Sequence, residues 1–115
     1  MADLRDSPFG DGVSRPPSTV VQLNVHTEGP VPVIEAAGEI DVSNADSLAC
    51  CLSVIEPGDM VVVDFTNLRF IDSQGIGVLV RASSRGVRVV CRGARGSARR
   101  AIEICGVHHV IELEA

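Results

Sequence analysis

Apolar and polar positions along this chain alternate in two different rhythms. From Thr19 the period is two: Val21, Leu23 and Val25 alternate with Gln22, Asn24 and His26, the pattern of a half-buried strand. Glu28-Gly29-Pro30 marks a turn, and Val31 and Val33 begin a second strand that ends near Gly38-Glu39-Ile40. Two strands so close in sequence predict a hairpin. The period then becomes helical. Ala45, Leu48, Ala49, Leu52 and Ile55 fall on one stripe, and Pro57-Gly58 stops it. Ser43 and Asn44 offer caps, and Asp46, three residues after Ser43, imitates a capping box. Met60 to Phe65 is a nearly continuous apolar run, which suits a central strand covered on both faces. Ile76, Leu79 and Val80 predict a second helix and Val87 to Cys91 a fourth strand. Ser97 to Cys105 predicts a third helix with Ala98, Ala101, Ile102 and Cys105 on one side. Val110, Ile111 and Leu113 predict a last strand.

The order ββαβαβαβ predicts an α/β fold with a mixed, mostly parallel sheet of four to five strands, joined by right-handed crossovers. Residues 1–18 carry Pro8, Gly10, Gly12, Pro16 and Pro17 among polar residues and read as a flexible leader; 19–115 read as one domain. At 115 residues the chain is long enough for one self-sufficient core. With aromatics at 3%, that core must be built from Val, Ile, Leu and Ala. No apolar run spans a membrane and no signal peptide is visible, so a cytoplasmic protein is expected.

Charge and cysteines change the picture little. The net charge is −5 and no Lys is present. Most arginines lie between Arg69 and Arg100, where Asp72 is the only acid and Phe70 the only aromatic. A basic stretch without interleaved aromatics gives no nucleic-acid signature. Cys50, Cys51, Cys91 and Cys105 form no C-x-x-C, and His26, His108 and His109 stand at no zinc-ligand spacing. The four thiols are expected to be reduced and mainly structural, with no metal or other cofactor.

The chemistry concentrates in Arg69 to Val80, R-F-I-D-S-Q-G-I-G-V-L-V, where a serine flanked by a carboxylate stands at a strand-to-helix junction. One reading is a helix cap, from Ser73 or from Asp72. A serine nucleophile is disfavoured, because Ile71 stands where a G-x-S-x-G elbow needs glycine. A P-loop is absent. Gly75 and Gly77 thin one face of the helix, so that another chain could approach it. A phosphoacceptor fits best: a helix N-terminus tolerates the added charge, whereas a protein interface does not.

Three segments in this order carry a resemblance: Gly38-Glu39-Ile40-Asp41, Val61-Val62-Val63-Asp64-Phe65, and Phe70-Ile71-Asp72-Ser73-Gln74-Gly75-Ile76-Gly77. Together they resemble a STAS domain of the bacterial anti-sigma-factor antagonist type, over about Thr19 to Ala115. The resemblance implies a mixed sheet with helices on one face. It implies a non-enzymatic, partner-switching protein whose Ser73 is phosphorylated by a partner that is both serine kinase and anti-sigma factor. It also implies a partner surface of Asp41, Asp72, Ser73, Gln74, Gly75 and Ile76, with no nucleic acid and no membrane. The protein itself is expected to be a monomer or weak homodimer. A second reading is a STAS accessory module of a transporter or stressosome-like scaffold that does not depend on serine phosphorylation. Gln74 departs from the small residue common at its place, and the chain ends directly after its last strand, where many members add a helix.

Overall fold

The computed structural model describes residues 21–107 and 110–114, so the leader 1–18 and the pair His108-His109 lie outside the described residues. The elements are β1 (Val21–Glu28), β2 (Val31–Ile40), α1 (Ala45–Ser53), β3 (Met60–Ile71), α2 (Ser73–Ser84), β4 (Arg88–Arg92), α3 (Gly96–Ile104) and β5 (Glu112–Glu114). The strands form one sheet in the order β1-β2-β3-β4-β5. β1 and β2 are an antiparallel hairpin; every later neighbour is parallel. Three successive right-handed crossovers marching in one direction place all three helices on the same face.

That face carries the main core. Ile34, Ala36 and Ile40 of β2 and Val61, Val63, Phe65, Leu68 and Ile71 of β3 pack with Val89 and Cys91 of β4. Leu48 and Leu52 of α1, Ile76 and Leu79 of α2, and Ala98 and Ile102 of α3 close over them. α2 packs against both the sheet and α1. This explains why it buries Val78 and Ala82 as well as the expected Ile76 and Leu79, leaving Val80 half-buried.

The opposite face holds a smaller cluster of Val33, Val62 and Val90, with Val31 and Met60 against it. An ion network shields it. Arg92 on β4 bonds Glu28 on β1 at 2.9 and 3.0 Å and Asp64 on β3 at 3.0 Å. Since β2 and β3 stand between β4 and β1, these side chains run across the sheet above the valines. Arg92, and then His26, hold the Glu28 carboxyl below the usual range. Burial would raise Asp64, but the hydroxyl and amide of Thr66, with Arg92, outweigh it and leave the carboxyl lowered. Arg88 meets Glu112 and Arg99 meets Glu103, so acids from elsewhere neutralise much of the arginine-rich window.

Three local expectations are corrected. β3 does not end at Phe65 in a loop but continues to Ile71. Its polar stretch is carried past β2 by register shifts between Glu35 and Ala37 and between Gly38 and Glu39, where Gly38 takes a φ of 102°. α1 stops at Ser53 rather than running on to Pro57, and the Arg85 guanidinium caps its end by donating to the Leu52 carbonyl at 2.9 Å. The thiols are all free but not all interior: Cys91 is buried, Cys51 half-buried, and Cys50 and Cys105 exposed. Cys105 is the C-cap of α3, beyond the stripe that continues Ala98 and Ile102 inward. Burial pushes the Cys91 thiol up to about 12.

Candidate functional site

Ile40 and Ile71 are register partners at the ends of β2 and β3, and both are buried. The Asp72 amide continues the ladder by donating to the Ile40 carbonyl at 3.0 Å. Asp41 and Asp72 therefore leave the sheet side by side, and each leads into a helix. The Arg69–Val80 stretch folds as its pattern requires. β-branched Ile71 anchors the last strand position, extended Asp72 (φ −99°, ψ −175°) ends the strand, and Ser73 opens α2.

The capping group is Asp72, not Ser73. Asp72 Oδ1 accepts the amides of Gln74 at 2.9 Å and Gly75 at 3.2 Å, and the Asp72 carbonyl accepts Ile76 N–H at 3.0 Å. Ser73 is exposed, and its hydroxyl makes no side-chain hydrogen bond among the described residues. Gln74 is also exposed. Gly75 and Ile76 are buried beneath them and support the entrance from within.

Gly75 also corrects the idea that α2 is thinned for a visiting chain. A methyl there would lie 2.7 Å from Ile40 Cγ2 and 2.7 Å from Ile71 Cγ1. The space is already filled by the protein's own core. Gly77 differs: the nearest atom to such a methyl is Nη1 of Arg81, at 3.4 Å.

The neighbouring entrance, into α1, is closed on itself. Asp41 Oδ1 accepts both the amide and the hydroxyl of Ser43. Asn44 is buried. Its Oδ1 accepts the Asp41 amide at 2.9 Å and its Nδ2 donates to the Glu39 carbonyl at 2.9 Å. Asn44 thus occupies the N-cap position without a side-chain cap bond, and the expected Ser43–Asp46 capping box does not form.

Two exposed apolar residues flank the site and were not among the expected site residues: Val42 at 73% exposure and Phe70 at 41%. Their signal was parity. Each adjoins a residue committed to the interior or to the turn, Ile71 in the case of Phe70, and so points outward. His26 is not brought to Ser73. It pairs with Val33, seven residues before Ile40 on β2, roughly 23 Å away along the strand. Among the described residues no group of His, Cys, Asp and Glu could hold a metal. The site offers an exposed primary alcohol at a helix entrance capped by the Asp72 carboxylate.

The STAS domain family model matches residues 22–115. The chain belongs to the STAS domain family. Among solved structures, this STAS domain is similar to an anti-sigma factor antagonist from Mycobacterium paratuberculosis, with 24% identity and a TM-score of 0.71 over 86% of this chain and 88% of that one. It is similar to the anti-sigma factor antagonist SpoIIAA in its unphosphorylated form, at 18% identity and a TM-score of 0.60 over 84% and 89% of the two chains. It is also similar to a sulfate transporter family protein from Wolinella succinogenes, at 23% identity and a TM-score of 0.58 over 70% of each. At these identities the likeness establishes the fold: a five-stranded mixed sheet with three helices. No match was found among curated proteins. Among the described residues no helix is long and apolar enough to cross a membrane.

Proposed function

We propose that this STAS domain is an anti-sigma-factor antagonist switched by phosphorylation of Ser73. Unphosphorylated, it binds a serine-kinase-type anti-sigma factor in the cytoplasm and so releases a sigma factor. Phosphorylated, it lets go. It has no catalytic residues of its own; the partner supplies ATP and the transfer. The observation that carries this reading is the exposed Ser73 hydroxyl, without a side-chain hydrogen bond among the described residues, on an entrance held rigid by Asp72. Val42 and Phe70 give the surrounding surface apolar anchors, and Asp41, Asp72 and Gln74 give it polar ones.

The switch follows from where the charge falls. A phosphoserine brings about −1.5 to −2 charges at neutral pH. Inside an interface, a desolvated and unpaired charge costs several kcal/mol, and about 1.4 kcal/mol is already tenfold in affinity. Titration calorimetry against a serine-kinase-type anti-sigma factor tests this. Ser73→Ala should bind like wild type and resist switching off. Ser73→Asp and the phosphorylated protein should bind on the order of 100-fold more weakly. Equal affinities for all forms would remove Ser73 from the interface.

The fold shared with a sulfate transporter family protein supports a second reading, an accessory module of a transporter. Capture of partners from the source cell separates the two. An ATPase-kinase protein supports the first, and a membrane transporter supports the second.

A further inference from the structure

A phosphoryl group on Ser73 would meet a local difficulty. The amides of Gln74 and Gly75, which a helix entrance ordinarily offers to an anion, are already taken by the Asp72 carboxylate. The new dianion would stand beside a fixed negative charge with those donors occupied. Of the cations on neighbouring segments, Arg69 is drawn to Glu39 at 4.0 Å.

α2 itself supplies a cation. Ser73, Gly77 and Arg81 follow one another at i, i+4 and i+8, so they lie along a single ridge, each step about 6 Å from the next. The Arg81 side chain leans back along this ridge toward the N-terminus. Its Nη1 lies 3.4 Å from where a side chain on Gly77 would begin. A side chain longer than a methyl at 77 would compete for that lane. Arg81 is exposed and makes no ion pair among the described residues. Its fork is therefore one turn short of Ser73, with the intervening position cleared.

We propose that Arg81 is an internal phosphate-binding residue that clasps phosphoserine 73 along α2, with Gly77 as the gap that lets it through. The clasp rests on the reading of Ser73 as a phosphoacceptor and adds its regulation. It draws the phosphate down onto the helix, keeps it dianionic at neutral pH, and offsets the repulsion from Asp72. Planar guanidinium geometry suits a phosphate better than an ammonium would.

The test installs phosphoserine at position 73 during synthesis, so that no kinase is needed. The second ionisation, ordinarily near pH 6, is then followed by phosphorus NMR. Wild type should titrate about 0.5–1 unit below R81Q, because a nearby cation favours the dianion. R81K should fall between them. G77L keeps the arginine but fills the lane, and should also titrate above wild type. R81Q or G77L titrating like wild type would overturn the clasp. A protein whose Ser73 no kinase modifies would instead sink the switch while this titration still stood, so the two proposals fail separately.

Discussion

Two helix entrances open side by side at the carboxyl end of the sheet, and they begin alike. Each follows a buried isoleucine, Ile40 or Ile71, and each starts with an aspartate followed within two residues by a serine. They are finished differently. At α1 the serine hydroxyl is tied to Asp41, and the buried amide of Asn44 stitches the turn to the Glu39 carbonyl. At α2 the aspartate does the capping itself, and the hydroxyl is left outside. The same I-D start therefore yields one entrance that spends its polar groups on the fold and one that holds a group in reserve. A hydroxyl that makes no side-chain hydrogen bond among the described residues can be modified without breaking a bond of the fold.

The sharpest way to break this contrast is Asn44→Ala. It strips partners from the Asp41 amide and the Glu39 carbonyl in a buried place, and should destabilise by about 2–3 kcal/mol. Urea denaturation measures it; a loss under about 0.5 kcal/mol would mean that the α1 entrance is no more committed than its neighbour.

Asp72→Ala should cost about 1 kcal/mol of stability, the worth of one cap. Its effect on affinity for the proposed anti-sigma partner should be larger, which paired denaturation and calorimetry would reveal. A mutant that fails to fold would make Asp72 a structural residue first.

The smallest effect is the most diagnostic. Ser43→Ala should lose about 0.5–1 kcal/mol with its bond to Asp41, whereas Ser73→Ala should stay within about 0.5 kcal/mol of wild type. The reverse order in thermal or denaturant midpoints would show that the α2 hydroxyl is the engaged one.

What could be read from the sequence was periodic. β1 shows its alternation at Val21 and Leu23, which meet the core, whereas Val25 is exposed, and α3 shows Ala98 and Ile102 because it docks on one side alone. The end of β3 was not legible, since Thr66, Asn67 and Arg69 break the apolar run while bulges in its pairing with β2 keep the strand going. Capping chemistry was half legible. Asp72 and Ser73 could both cap, and only the extended backbone at Asp72 decides between them. Ser43, Asn44 and Asp46 looked like a capping box because local competition from Asp41 leaves no mark on spacing. The resemblance placed Ser73 and its neighbours at one site, but burial divides that set: Ser73 and Gln74 face solvent, and Gly75 and Ile76 hold the helix down.

The interior thiol of β4 makes the molecule its own stopwatch. Burial holds the Cys91 thiol far above its ordinary range, so it stays protonated at pH 8, and it is walled off beneath the helices with Val63 and Leu113 as its neighbours in the sheet. Cys50 and Cys105 lie in the open. Iodoacetamide should therefore label the outer pair at once and Cys91 only during excursions that lift the helices from the sheet or part β4 from its neighbours. The slow step of that labelling counts how often this core opens. A Cys91 as fast as Cys105 would mean that this part of the core is open much of the time.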